Sequence, residues 1–250
     1  MSNTIKCRLY FIAFLAYAIA PLLSACDSST QDPSLLEEPK AGEETQPPEE
    51  IVYTPIENCV GPMNIENLGM VRTPSEAQDC VICEGALPPN FALQDLNPTS
   101  CGIGKYYGLD AFQGQVTFVV LLRSTCGYCH GQLEKLEQMR FELLAMGLTL
   151  HMVVINEMGT EHNIDALTQR AQIPILQDRE DVLAWQSLSA EDPNDSELNL
   201  GGDKDDMYIY NAQGELWRFL DDDDPSHLLN LSTDEGYTYL KEILIEALSE

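Results

Sequence analysis

The sequence predicts an α/β domain in which a central mixed β-sheet is flanked by helices, with a cysteine-bearing extension on its N-terminal side. Val116-Thr117-Phe118-Val119-Val120-Leu121-Leu122 is a continuous apolar, β-branched run, the mark of a strand buried on both faces. Directly after it, Leu133, Leu136, Arg140, Leu143 and Leu144 recur at helical spacing until Gly147 supplies a stop. A second apolar run, Leu150 to Ile155, follows, and a helix between two buried strands makes a right-handed parallel crossover the default.

The remaining elements extend this βαβ unit. Asn163 to Arg170 and Glu180 to Leu188 read as helices, separated by the extended piece Ile173-Pro174-Ile175-Leu176. Met207-Tyr208-Ile209-Tyr210 and Glu215-Leu216-Trp217-Arg218-Phe219 flank Asn211-Ala212-Gln213-Gly214, a hairpin signal. Ser232-Thr233-Asp234-Glu235 reads as a capping box, after which Tyr237, Leu240, Leu244, Ala247 and Leu248 share one helical face. Strand, helix, strand, hairpin, helix is the order of a thioredoxin-like core.

The N-terminus carries a different message. Lys6 and Arg8 precede an apolar run from Leu9 to Leu23 that is too short for the ~20 residues of a spanning helix, and the pattern is that of a signal peptide. Leu23-Ser24-Ala25-Cys26 resembles a bacterial lipobox, in which the cysteine becomes the lipidated first residue; plain secretion, with Cys26 a bystander, is the alternative. Residues 1–25 are thus expected to be a lipoprotein signal peptide and Cys26 a lipid anchor to a membrane. Residues 26–57, rich in Asp, Glu, Pro, Ser and Thr, bury too little apolar surface to fold and are expected to be an acidic, disordered tether. A cysteine-containing extension would span 58–87 and the domain 88–250. With 41 acids against 13 bases and a net charge of −28, nucleic-acid binding is excluded.

The chemistry-bearing motif is Cys126-Gly127-Tyr128-Cys129, placed where the central strand turns into a helix. A helix N-terminus directs free N–H groups and positive dipole at Cys126, favouring the thiolate that attacks a disulfide. Cys129, nearly one turn on, is the expected buried resolving thiol. An adjacent His130 could lower either pKa or point into solvent. An inert structural disulfide is the bland alternative, although a ring this small removes little chain entropy. Cys126-Gly127-Tyr128-Cys129-His130 also satisfies the attachment pattern for a c-type haem, against which the preceding buried strand argues.

Several segments carry a family likeness. Pro89-Asn90-Phe91-Ala92-Leu93-Gln94-Asp95-Leu96 followed by Gly114-Gln115-Val116 resembles the opening hairpin of the redoxin branch of thioredoxin-like proteins. From about Val116 to Leu248 the chain resembles the N-terminal domain of selenoprotein P. The matching pieces are Leu121-Leu122, Gln132, Lys135-Leu136-Glu137, Asn156, Gly159, Ile173-Pro174-Ile175, Asp181-Val182 with Trp185, and Gly202-Asp203-Lys204-Asp205-Asp206 leading into Ile209-Tyr210. In that family the position matched by Cys126 is commonly selenocysteine and that matched by Cys129 is cysteine, so the resemblance implies a redox-active pair, here with sulfur at both positions. Two departures stand out. Asp205-Asp206 occupies the place before Met207 where many thioredoxin-like proteins carry a cis-proline. The approach Leu122-Arg123-Ser124-Thr125-Cys126 lacks the proline of the peroxiredoxin pattern, which disfavours a thiol peroxidase.

Cys59, Cys80, Cys83 and Cys101 allow three pairings, or a four-thiolate zinc site. A secretory address favours disulfides that staple the extension to the domain. Asp203, Asp205, Asp206 and Asp221 to Asp224 do not follow a calcium-loop spacing and read as solvated loops, so no metal or cofactor is expected. The expectation is an enzyme, a thiol:disulfide oxidoreductase acting on extracytoplasmic protein disulfides with a redox partner, anchored at the periplasmic or outer face of a bacterial membrane. A non-catalytic binding module on the same fold is the alternative.

Overall fold

A computed structural model describes residues 59–73, 80–192 and 195–250; the expected signal peptide, the expected lipid anchor Cys26 and the expected tether lie outside the described residues. Among the described residues, nine strands form two sheets. The large one comprises β1 (Leu93–Asp95), β2 (Tyr106–Tyr107), β3 (Thr117–Leu122), β4 (His151–Asn156), β5 (Ile175–Gln177), β8 (Met207–Tyr210) and β9 (Leu216–Leu220), in the order β2-β1-β5-β4-β3-β8-β9. β3, β4 and β5 are parallel, and β1, β2, β8 and β9 run antiparallel to their neighbours. With α1 (Gly127–Ala145) joining β3 to β4 and α4 (Asp234–Ala247) closing the chain, this is a thioredoxin-like fold.

The apolar run of β3 follows from its place between β4 and β8, with both faces covered. Phe118, Val120 and Leu122 face one side with Leu133, Leu136, Met139 and Leu143 of α1 and Leu240 and Leu244 of α4. Val119 and Leu121 alternate to the other side, where Phe91, Leu93, Tyr107, Phe112, Trp185 and Leu188 form a second core. Each fully buried side chain of this size contributes about 1.5–3 kcal/mol. In α1 it is Met139, not Leu144, that completes the buried stripe; Leu144 is exposed. Gly147 ends the helix at φ +79°, a left-handed conformation glycine adopts without penalty, and Leu148 N–H reaches back to Leu143 O.

Two predicted helices are reduced to single turns. Asn163 to Arg170 becomes a short 3-10 segment, Glu161–Asn163, followed by α2 (Asp165–Thr168), and Glu180 to Leu188 becomes α3 (Ala184–Ser187). The reason for the second is the buried Asp178 carboxylate, which accepts N–H bonds from Arg179, Ala184 and Trp185 and holds the chain in a turn, with Leu183 at φ +57°. A hairpin that periodicity does not announce, β6 (Ala190–Asp192) with β7 (Asp195–Leu200), forms the second sheet. Helix α4 is capped by Thr233 alone: its hydroxyl accepts from Gly236 N–H, so the residue three positions after the cap is a glycine and not the glutamate of a full capping box. A side chain at Gly236 would meet Asn230 O, which explains that choice.

The extension lies against the domain through Leu68 N–H to Tyr106 O, the Arg72–Ala92 bridge and the Val60–Ser100 bridge. Cys59 and Cys101 form a disulfide across 42 positions, whereas Cys80 and Cys83 close a ring across three. Only the first joins extension to domain, which corrects the expectation that all four cysteines do so. Chain entropy assigns about 4 kcal/mol to the long loop and about 2 kcal/mol to the short one.

Candidate active site

The site is built at the C-terminal end of β3. Beyond Leu122 the chain turns through Arg123, Ser124 and Thr125, and the turn is held from the neighbouring strand: Ser124 N–H donates to Asn156 Oδ1 at 2.8 Å, and Asn156 Nδ2 donates to Gln177 Oε1 at 2.7 Å. Asn156 is fully buried, so its hydrogen bonds to the turn and to Gln177 fix the geometry in a place without water. Cys126 is the N-cap of α1, and its Sγ accepts the Cys129 N–H at 3.4 Å. Cys126 is half-buried and Cys129 is fully buried in the core beneath it; neither is in a disulfide.

The two thiols are driven in opposite directions. Burial pushes the Cys126 thiol up, but the hydrogen bond with the Cys129 thiol, the N–H groups of Cys129 and Tyr128, and the Lys204 ammonium outweigh it, leaving it below the ordinary thiol value. Burial raises the Cys129 thiol far above that value, reinforced by the hydrogen bond with Cys126 and the negative charge of Asp205. Lys204 and Asp205 come from the loop before β8. Asp205 N–H donates to Leu121 O at 2.8 Å and Leu121 N–H donates to Asp206 O at 3.1 Å, which ties this loop to the strand that delivers Cys126.

Asp205 is unusual in three respects. Its φ is +73°, uncommon for a residue with a side chain. Its carboxylate is fully buried and paired with Lys204 through Oδ2, while Oδ1 has no hydrogen-bond partner among the described residues. Lys204 Nζ also lies 5.4 Å from the centroid of the Tyr128 ring. Arg123 pairs with Glu157, Nη2 to Oε1 at 2.6 Å, and a cleft of about 460 Å³ opens between these groups, lined also by Met158, Leu183, Trp185 and Lys204.

His130 neither points freely into solvent nor joins the groups that set the thiol pKa values; its Nε2–H donates to Ser124 O at 2.7 Å. With His130 committed to the backbone and Cys129 sealed in the core, these residues do not fit a c-type haem. Among the described residues there is no cis peptide bond and no group of His, Cys, Asp or Glu arranged to hold a metal ion. The aspartates serve as turn acceptors: Asp206 takes N–H bonds from Asp203 and Asp222, Asp221 from Asp223, and Asp224 from Ser226. Sequence reasoning placed the cysteines and singled out Gly202 to Asp206 as a matching segment, but gave Lys204 and Asp205 no role beside them.

Residues 82–221 match the family described as the N-terminal region of selenoprotein P. The chain belongs to this family. The selenoprotein P match begins upstream of the resemblance traced from Val116, taking in Ile82 and Cys83, and stops before α4. Among solved structures, a candidate protein disulfide isomerase from Bacteroides thetaiotaomicron is similar at 14% identity and TM-score 0.48, over 70% of this chain and 96% of that one. A thiol-disulfide oxidoreductase thioredoxin domain from Bacteroides vulgatus is similar at 13% identity and TM-score 0.44, over 65% and 98%. A secreted thiol-disulfide isomerase from Corynebacterium glutamicum is similar at 16% identity and TM-score 0.45, over 66% and 86%. No curated protein matches the chain.

Proposed function

We propose that this chain is a thiol:disulfide oxidoreductase that acts on extracytoplasmic protein disulfides through Cys126 and Cys129, held at a membrane by acyl chains on Cys26. The observation that carries the reading is the asymmetry of the pair: an accessible thiol shifted down at a helix start, directly above a buried thiol shifted up. In this reading the Cys126 thiolate attacks one sulfur of the substrate disulfide, bonds to it, and expels the other sulfur as a thiolate. Cys129 then attacks Cys126, closing the protein disulfide and releasing the substrate as a dithiol. For that second attack Cys129 must lose a proton inside the core, and we propose as its acceptor the buried Asp205 carboxylate, whose charge acts on Cys129 and whose Oδ1 has no hydrogen-bond partner among the described residues. The cleft lined by Arg123, Glu157, exposed Met158 and Lys204, the last of which stands over the Tyr128 ring, suits a polypeptide chain.

The test is trapping. Cys129→Ser retains the first attack and loses the second, so it accumulates mixed disulfides on Cys126, seen by non-reducing electrophoresis and mass spectrometry; Cys126→Ser accumulates none. Adducts on Cys129 in the Cys126→Ser variant would reverse the roles, and inactivity of the intact chain toward every protein disulfide would leave a binding module. Release of the protein from membranes by Cys26→Ala tests the anchor.

A further inference from the structure

The second Cys-x-x-Cys, Cys80-Val81-Ile82-Cys83, is oxidised and sits at the opposite edge of the sheet order from β2, against β9. Gly85 N–H donates to Leu216 O and Leu216 N–H donates to Ala86 O, both at 2.7 Å, so the chain leaving the ring is bonded to that strand. The two residues between the cysteines are the anchor: Val81 is buried, and Ile82 packs on the second core and on Gly201, a few residues before Lys204. The sulfurs are not part of that anchor. Cys83 is exposed and Cys80 half-buried.

We infer that Cys80–Cys83 is a second exchangeable disulfide, which accepts an electron pair from a dithiol-bearing polypeptide docked beside Cys83. Three observations support this. The ring spans three positions against 42 for Cys59–Cys101, so opening it releases little chain entropy and leaves the fold its long cross-link. Exposure of Cys83 admits an attacking thiolate, and exposed disulfides are the labile ones. Ile82 and Glu84, on either side of Cys83, line a hollow of about 440 Å³ with Trp217, Arg218, Phe219 and Glu250, a seat for the incoming chain.

The exchange balances. One partner thiolate bonds to Cys83 Sγ while the Cys80–Cys83 bond breaks, and Cys80 leaves as a thiolate that takes a proton from water. The partner's second thiolate then attacks the mixed disulfide, releasing Cys83, so the partner becomes a disulfide and the ring a dithiol. With Val81 and Ile82 still docked, the two thiols stay neighbours, and reclosure by an external disulfide is intramolecular in its second step.

The experiment titrates the oxidised full chain with dithiothreitol, quenches in acid, labels free thiols and quantifies each cysteine peptide by mass spectrometry. The expected result is that Cys80 and Cys83 become free at about tenfold less reductant or lower than Cys59 and Cys101. The same order is expected in a Cys126→Ser/Cys129→Ser variant, which separates this inference from the proposed function. In a second arm, a cysteine-bearing peptide with the reaction stopped early should leave its adduct on Cys83. Simultaneous opening of both disulfides, earlier opening of Cys59–Cys101, or an adduct on Cys80 and not on Cys83 would overturn the inference.

Discussion

Two Cys-x-x-Cys segments occur in this chain, and they are set in opposite surroundings. Cys126 and Cys129 stand at the start of a 19-residue helix that follows the central strand, and the helix, the core and the loop carrying Lys204 and Asp205 act on each thiol differently. Cys80 and Cys83 stand in an irregular loop at the β9 edge, where Val81 is buried, Ile82 and Cys80 are half-buried and Cys83 is exposed. The same spacing is therefore set in two environments, which suit the two roles we propose. A helix start with a buried partner separates attacker from resolver, whereas an exposed ring offers a sulfur to be attacked.

The sharpest way to break this comparison is to remove the attacking sulfur. Cys126→Ser should lower reduction of a protein disulfide, followed with dithiothreitol as electron donor, by about a thousandfold or more, because a hydroxyl without a base is a poor nucleophile at neutral pH. Retained turnover would mean that the edge ring, not the helix start, carries the exchange.

Stability distinguishes the remaining cysteines. Losing the Cys59–Cys101 bond through Cys59→Ser/Cys101→Ser should cost about 4 kcal/mol in denaturant unfolding, and losing Cys80–Cys83 through the equivalent pair about 2 kcal/mol. Equal losses would show that the short ring has a structural role that chain entropy does not describe.

Proton handling sharpens the contrast further. Asp205→Asn keeps the size of the side chain but removes the proposed acceptor, so decay of the mixed disulfide on Cys126 should slow by about ten- to a hundredfold at neutral pH and recover as pH rises. A slowing that is independent of pH would assign Asp205 a merely structural role.

The smallest effect concerns Lys204, whose charge favours the Cys126 thiolate. Lys204→Met should move the pH profile of Cys126 alkylation upward, so that alkylation near neutral pH slows by a few fold. The sign also bears on stability of the reduced protein. The lowered Cys126 thiol contributes stability above the ordinary thiol pKa that is lost as pH falls through its folded value, while the raised Cys129 thiol opposes folding as pH rises above the ordinary value.

Much of the fold, and the cysteine pair at the centre of the site, is legible in the amino-acid sequence. The run Val116 to Leu122 reads as a strand covered on both faces, the stripe through Leu133, Leu136 and Leu143 as the helix after it, and the cysteines lie at their junction, as the structure has them. Period and composition are local properties, and a strand–helix–strand unit is made of them. Periodicity misleads where a single buried group overrides local preference: Asp178 gathers three N–H groups and cuts a predicted helix to one turn.

By itself, then, the sequence determined the βαβ unit, the closing hairpin and helix, and the position of Cys126 at a helix start. Only the tertiary structure decided that Cys59 joins Cys101, that Met139 and not Leu144 faces the core, and that the charges of Lys204 and Asp205 act on the thiols. Each of these depends on residues distant in the chain meeting: through the docking of the extension for the first, the packing of α1 against the sheet and α4 for the second, and the antiparallel pairing of β3 with β8 for the third. No local pattern encodes such meetings, because the free energy that selects them resides in the assembled core and not in any one segment.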